Sequence, residues 1–198
     1  LFPFFDVIFM PILLIGLGNP GPAYAKTRHN LGASWLDALA LSWGAEVWCL
    51  ERRFEAYVCK ARVGGVPCLL AKPQTYMNAS GQSARALCRF YDLKPQQVLV
   101  LYDEVELLLG QLRLRQGGGT AGHRGLRDIV RVMGPDVHRA RLGIGPKPQG
   151  PEAYDTLSAY VLAPFSPREQ AALVQCYPAW QAELEAYVLI MQAQGLPE

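Results

Sequence analysis

Strong charge of either sign is missing from this chain. Nineteen basic residues stand against seventeen acidic ones, a net charge of +2 over 198 residues. That excludes a polyacidic tail and a globally basic nucleic-acid binder, so any RNA surface has to come from local clustering. The five cysteines, Cys49, Cys59, Cys68, Cys88 and Cys176, are odd in number, widely spread and without a Cys-x-x-Cys pair. They read as reduced thiols of a cytoplasmic protein rather than a disulfide or zinc framework. The three histidines show no H-E-x-x-H spacing, and no metal is expected. Long apolar runs are also lacking. Leu1 to Phe9 is interrupted by Pro3 and Asp6 and has no basic flank, which fits neither a membrane span nor a signal peptide. Residues 1–9 are expected to be a leader or an upstream segment before Met10, with one domain over 10–198. No membrane association follows, and no internal repeat or low-complexity linker is present.

What remains is 51% hydrophobic and 18% charged, a globular balance that supports one sizeable core. Ile12-Leu13-Leu14-Ile15 is a short apolar run that breaks into a glycine/proline turn, as a buried strand would. Leu31, Trp35, Leu39 and Trp43 then recur at helical spacing, closed by Gly44. Strands are predicted near Phe54–Val63 and Val66–Ala71 around Gly64-Gly65, and a helix over Ser80–Tyr91. Val98 to Tyr102 reads as a strand buried on both faces and ended by Asp103. Leu112 to Arg115 predicts a short exposed strand. A third helix carries Leu126, Ile129, Val130 and Met133, a last strand lies near Ala140–Ile144, and a Gly/Pro/Lys loop runs to Pro151. A long helix within Pro167–Gln194 contains Pro178, which should kink it. The alternation predicts a single α/β domain: a twisted, mostly parallel mixed sheet with helices on both faces.

Gly16-Leu17-Gly18-Asn19-Pro20-Gly21 fits the G-x-G-x-x-G dinucleotide pattern, but Pro20 and Pro22 delete two backbone donors. The helical pattern also begins only near Leu31, too late to hold a pyrophosphate. A nucleotide-binding oxidoreductase would require saturable NAD binding. His29 is the stronger candidate, because imidazole takes and returns a proton near neutral pH. It lies in a polar run after one strand, and Asp103 lies at the predicted end of another. A carboxylate on one ring nitrogen would fix the tautomer and leave the other nitrogen to activate water. The plain alternatives are a histidine capping a helix and a solvated acidic turn of Asp103, Glu104 and Glu106. Asn19 and Asn78 occupy two further strand-end turns. Their amides suit a peptide-like substrate or a positioned water, or simply serve as turn and cap residues. The glycine-dense Gly117 to Gly125 leads into a helix, with Arg113 and Arg115 at strand spacing before it. Arg124, Arg127, Arg131, Arg139 and Arg141 follow. This local enrichment suits phosphate, or is a solvated basic face.

Several separated blocks, in one order, resemble the bacterial-type peptidyl-tRNA hydrolases. They are Gly16 to Gly21, Thr27-Arg28-His29-Asn30, Thr75-Tyr76-Met77-Asn78, Tyr102-Asp103-Glu104 and Gly117-Gly118-Gly119 with Ala121-Gly122-His123. The resemblance implies a monomeric α/β fold that hydrolyses the ester joining a peptide to the tRNA 3′ ribose. The implied role is recycling tRNA from aborted translation, without a cofactor. It implies His29 as the general base, Asp103 as its orienting partner, and Asn19 and Asn78 holding the water or the peptide near the ester. Tyr24, Tyr76, Asn78, His123 and Arg124 fall among the implied substrate-binding positions, His123 in a loop that gates the peptide groove. Arg113, Arg115 and Arg141 match positions that contact tRNA phosphates. The implied partner is peptidyl-tRNA, through its acceptor stem and peptide, with no obligate protein partner. The chain departs from the family at Arg124, where an asparagine that helps hold substrate is usual, and mildly at Glu106, where an aspartate is usual. The alternative is a non-catalytic RNA- or protein-binding relative on the same fold. The four retained polar residues favour the enzyme, and Arg124 favours the binder.

Overall fold

The computed structural model describes residues 11–145 and 156–194; the expected leader and the Gly/Pro/Lys loop lie outside the described residues. The first strand, β1 (Ile12–Gly16), is buried along its whole length and lies in the middle of the sheet. Its side chains alternate between two cores, Ile12 and Leu14 on one face, Leu13 and Ile15 on the other. An apolar run with no polar alternation is what a strand covered on both sides needs.

The chain then runs through a turn to a single turn of 3₁₀ helix, Arg28–Asn30, and α1 (Leu31–Ser42). Next come β2 (Cys49–Glu51), β3 (Ala56–Val63) and β4 (Val66–Pro73). A second 3₁₀ turn, Met77–Ala79, leads into α2 (Ser80–Tyr91), followed by β5 (Val98–Leu108) and β6 (Leu112–Gln116). The described chain ends with α3 (Arg124–Met133), β7 (His138–Gly145), α4 (Leu157–Leu162) and α5 (Pro167–Gln194). The seven strands form one mixed sheet in the order β2-β3-β4-β1-β5-β7-β6. The central β4, β1, β5 and β7 are mutually parallel, and β2, β3 and β6 add antiparallel flanks.

Helices cover both faces. On one, Leu31, Trp35 and Leu39 of α1 meet Trp180, Leu184 and Val188 of α5, and the Trp35 and Trp180 rings pack edge to face at 5.3 Å. On the other, Leu87 of α2 and Leu126 and Ile129 of α3 pack on Val98, Val100 and Tyr102. Pro178 lies inside α5. From β1 the chain turns to the β2–β4 side, and from β4 it crosses to β5 on the other side of β1. This is a topological switch point, and it opens a crevice at the strands' carboxyl ends.

Two glycines set how closely the walls of that crevice approach. A Cβ on Gly32 would collide with the Leu101 carbonyl oxygen, and one on Gly125 with the Met77 sulfur. Hydrogen at these positions lets the first turn of α1 lie on β5, and that of α3 on the Met77–Ala79 turn.

Three features differ from the sequence reading. Strand β5 continues through Asp103 to Leu108, with a register irregularity against β7 between Glu104 and Leu108. An acidic pair can stay inside the strand because each carboxylate has a partner, as described below. The short β2 and α4 were not anticipated. Three and six residues are too few to show a period.

Candidate active site

Asn19 after β1, Asn78 after β4, Asp103 in β5 and the His29 turn before α1 line one cleft of about 420 Å³. At its centre, Asp103 Oδ1 lies 2.9 Å from His29 Nδ1 and 3.0 Å from His123 Nε2. The two imidazole rings are 4.8 Å apart, and the edge of Tyr102 packs on His123 at 4.9 Å. Burial pushes the Asp103 carboxyl up, but the charges and hydrogen bonds of the two imidazoles outweigh it and hold the group well below the usual carboxylate range. An ionised carboxylate only accepts hydrogen bonds, so both facing ring nitrogens carry protons.

The tautomers follow from the network. His123 caps α3 by accepting the Leu126 N–H on Nδ1 at 3.2 Å, so its proton sits on Nε2, toward Asp103. His29 donates from Nδ1, and its Nε2 has no hydrogen bond among the described residues. A neutral His29 therefore presents a free lone pair, the state a general base requires. His29, Asp103 and His123 also form a cluster whose ligand atoms lie within 4.8 Å of one another. With Nδ1 of His123 occupied by a backbone donor, its Nε2 lone pair is not available to an ion. The network suits proton transfer better than metal ligation.

Asn19 is fixed by groups the sequence reading did not single out. Its backbone N–H donates to Asn30 Oδ1 at 2.9 Å, and Asn30 Nδ2 returns a bond to the Asn19 carbonyl at 2.9 Å. Asn19 Oδ1 accepts the Met77 N–H at 2.8 Å. One lone pair of the amide oxygen is thus engaged, and Nδ2 of this cleft-lining residue has no hydrogen bond among the described residues. Asn78 is exposed on the cleft wall, with no hydrogen bond among the described residues. Tyr24 and Tyr76 meet edge to face at 6.5 Å and line the same cleft, as do His123 and Arg124. Another wall comes from α4, where Leu157, Val161 and Leu162 line the cleft together with the uncharged Ser158.

Sequence reasoning missed what holds that wall. Arg28, beside the catalytic candidate, turns away from the cleft. Its Nη2 lies 2.9 Å from both oxygens of Glu169, its Nη1 donates to the Pro164 carbonyl at 2.7 Å, and its guanidinium stacks 4.5 Å from the Tyr160 ring centroid. The backbone of Thr27 bridges Pro164, so the His29 turn and the α4–α5 junction are tied together.

The arginines separate into two groups. On β6 and β7, Arg113 lies opposite Arg141, and Arg115 opposite Arg139. Arg139 is fully buried, and its Nη1 donates to the Gly119 carbonyl, bracing the glycine loop. Arg141 is engaged by Glu104 at 3.0 Å and Glu106 at 3.8 Å, and Arg131 by Asp128 at 2.7 Å. The guanidinium expected at tRNA from Arg141 is therefore already occupied within the chain. Arg113 and Arg115 are exposed; Arg115 Nε holds the Gly117 carbonyl at 2.9 Å, while Arg113 has no partner among the described residues.

Comparison with known proteins agrees with this geometry. The family model described as peptidyl-tRNA hydrolase matches residues 13–195. The peptidyl-tRNA hydrolase of Bordetella petrii is 49% identical over 176 residues, 85% of this chain and 83% of that protein. That of Gloeobacter violaceus is 45% identical over 177 residues, 87% of each. The crystal structure of peptidyl-tRNA hydrolase from Acinetobacter baumannii superposes with a TM-score of 0.83 at 35% identity, covering 93% of this chain and 91% of that one. This chain belongs to the peptidyl-tRNA hydrolase family.

Proposed function

We propose that the chain hydrolyses the ester between a peptide and the 3′ ribose of tRNA, with His29 as general base. The carrying observation is the His29–Asp103 hydrogen bond, which leaves Nε2 of His29 free toward the cleft. Water is the attacking group, since no serine or cysteine is within hydrogen-bond reach of His29 among the described residues. His29 Nε2 takes a proton from water as its oxygen bonds to the ester carbonyl carbon. Asp103 stabilises the imidazolium that forms. Asn19 Nδ2 and the Asn78 amide are the donors for the carbonyl oxygen as charge gathers there. When the tetrahedral species collapses, the carbon–oxygen bond to the ribose breaks, and His29 returns its proton to the departing 3′ oxygen. The apolar α4 wall and the Tyr24–Tyr76 pair suit the peptide. Arg113 and Arg115, on an edge strand beside the cleft-lining loop, suit the phosphates of the acceptor stem.

The test is deacylation of an N-acyl-aminoacyl-tRNA in water enriched in oxygen-18. The wild type should release tRNA with a free 3′ hydroxyl and place the label in the peptide carboxylate. Binding of the substrate without release would instead establish the non-catalytic alternative.

A further inference from the structure

Among the described residues, charge in the cleft is almost entirely cancelled, with one exception. Of the lining residues, Asp103, Glu104 and Arg124 carry formal charge apart from the histidines. Asp103 is bound by two imidazoles and Glu104 by Arg141. Arg124 is exposed and has no hydrogen bond or ion pair among the described residues. It also occupies the first position of α3, where the helix dipole disfavours a cation. Nothing among the described residues stabilises the guanidinium there, which leaves it available to what enters the cleft.

From these observations we infer that Arg124 is a specificity-determining residue that grips the phosphate on the 5′ side of the substrate's terminal nucleoside. The inference rests on the ester-hydrolase reading above. Position favours this group. Arg124 follows His123, whose ring is 4.8 Å from that of His29, and both line the cleft, which sets Arg124 close to where the ester reacts. Charge continuity favours RNA over an acidic peptide. Arg127, one turn further along α3, is also exposed and without a partner among the described residues, whereas the α4 residues lining the cleft, Leu157, Ser158, Val161 and Leu162, carry no charge. A guanidinium fork matches phosphate oxygens in pairs, which asparagine or glutamine cannot reproduce.

The experiment compares two small esters, an N-acetyl-aminoacyl group on the 3′ oxygen of adenosine and the same group on adenosine 5′-monophosphate, with N-acetyl-aminoacyl-tRNA. The wild type should cleave the phosphorylated ester with a KM roughly tenfold lower than that of the nucleoside ester. Arg124→Gln should erase that preference and lower the salt slope of tRNA binding by about 0.7. Arg124→Lys should restore part of the preference. A wild type that cleaves both small esters with equal KM, or an Arg124→Gln enzyme that keeps the preference, would overturn the assignment while leaving the hydrolase reading intact. A loss confined to peptides with acidic side chains would reassign Arg124 to the peptide and overturn it as well. A wild type that cleaves none of the three substrates would overturn both.

Discussion

One carboxylate oxygen shared by two imidazoles is the smallest unit of this protein with a chemical consequence. Asp103 fixes the proton of His29 on Nδ1, and His123, itself locked by the Leu126 N–H, supplies a second donor that keeps Asp103 ionised. Asp103→Asn should leave the cleft in place but lose the charge that selects the tautomer and stabilises the imidazolium. The expected outcome is a fall in kcat on the order of 10²–10⁴ with KM little changed. Long-range proton–nitrogen NMR of the wild type should show His29 protonated on Nδ1 and His123 on Nε2 at neutral pH; the reverse pattern at His29 would remove the base. At this scale the sequence was informative where chemistry is rare. Residue type pointed to His29 and Asp103 as a proton-transfer pair, whereas asparagine is common in turns and Asn19 and Asn78 stood out through the family resemblance. What it could not show is direction, because Asn19 as a donor depends on Met77 and Asn30, partners 58 and 11 residues away.

At the scale of elements, the crevice exists because β4, β1 and β5 end together and the helices leave on opposite faces. Its second wall, α4, has only six residues and depends on Arg28. Arg28→Ala would remove a bidentate ion pair in which the arginine side chain is 5% exposed and the glutamate 26%. Thermal or urea unfolding should show a loss of about 3 kcal/mol, below the upper range for a fully buried pair because Glu169 keeps some solvent. Steady-state kinetics should show a raised KM as the peptide wall loosens. Periodicity predicted the longer helices and the buried strands well, since each repeats its apolar face over about three turns or a full strand, but not the six-residue α4. It could not predict that β5 continues past Asp103, because an isolated carboxylate does terminate a buried strand, and the compensating histidines and Arg141 are distant in sequence.

Over the whole molecule, three buried or paired groups make stability depend on pH in one direction. Asp103 and Glu169 are each pushed up by burial and brought below their ordinary range by stronger partners, two imidazoles for Asp103, and Ser166 and Arg28 for Glu169. A depressed carboxyl contributes stability that is present above its unfolded pKa, about 4, and is lost as pH falls through the folded value. His138 is lowered by burial, against a backbone bond to Gln96, so the unfolded chain binds a proton more readily than the native one. Its contribution is present above about pH 6.5 and declines as pH falls below that. Tm should therefore be level near neutrality, fall first below pH 6.5 and again below pH 4–5. His138→Gln should remove the first step only. Cys59, Cys68 and Cys88, pushed up to about 12 by burial, should play no part in this range.

The rate of peptide release from peptidyl-tRNA by wild type and His29→Ala, at saturating substrate and neutral pH, decides whether the imidazole beside Asp103 does the chemistry. Loss of at least about 100-fold in kcat, with tRNA affinity and unfolding temperature retained, is the expected result. A His29→Ala protein releasing peptide at the wild-type rate would contradict it.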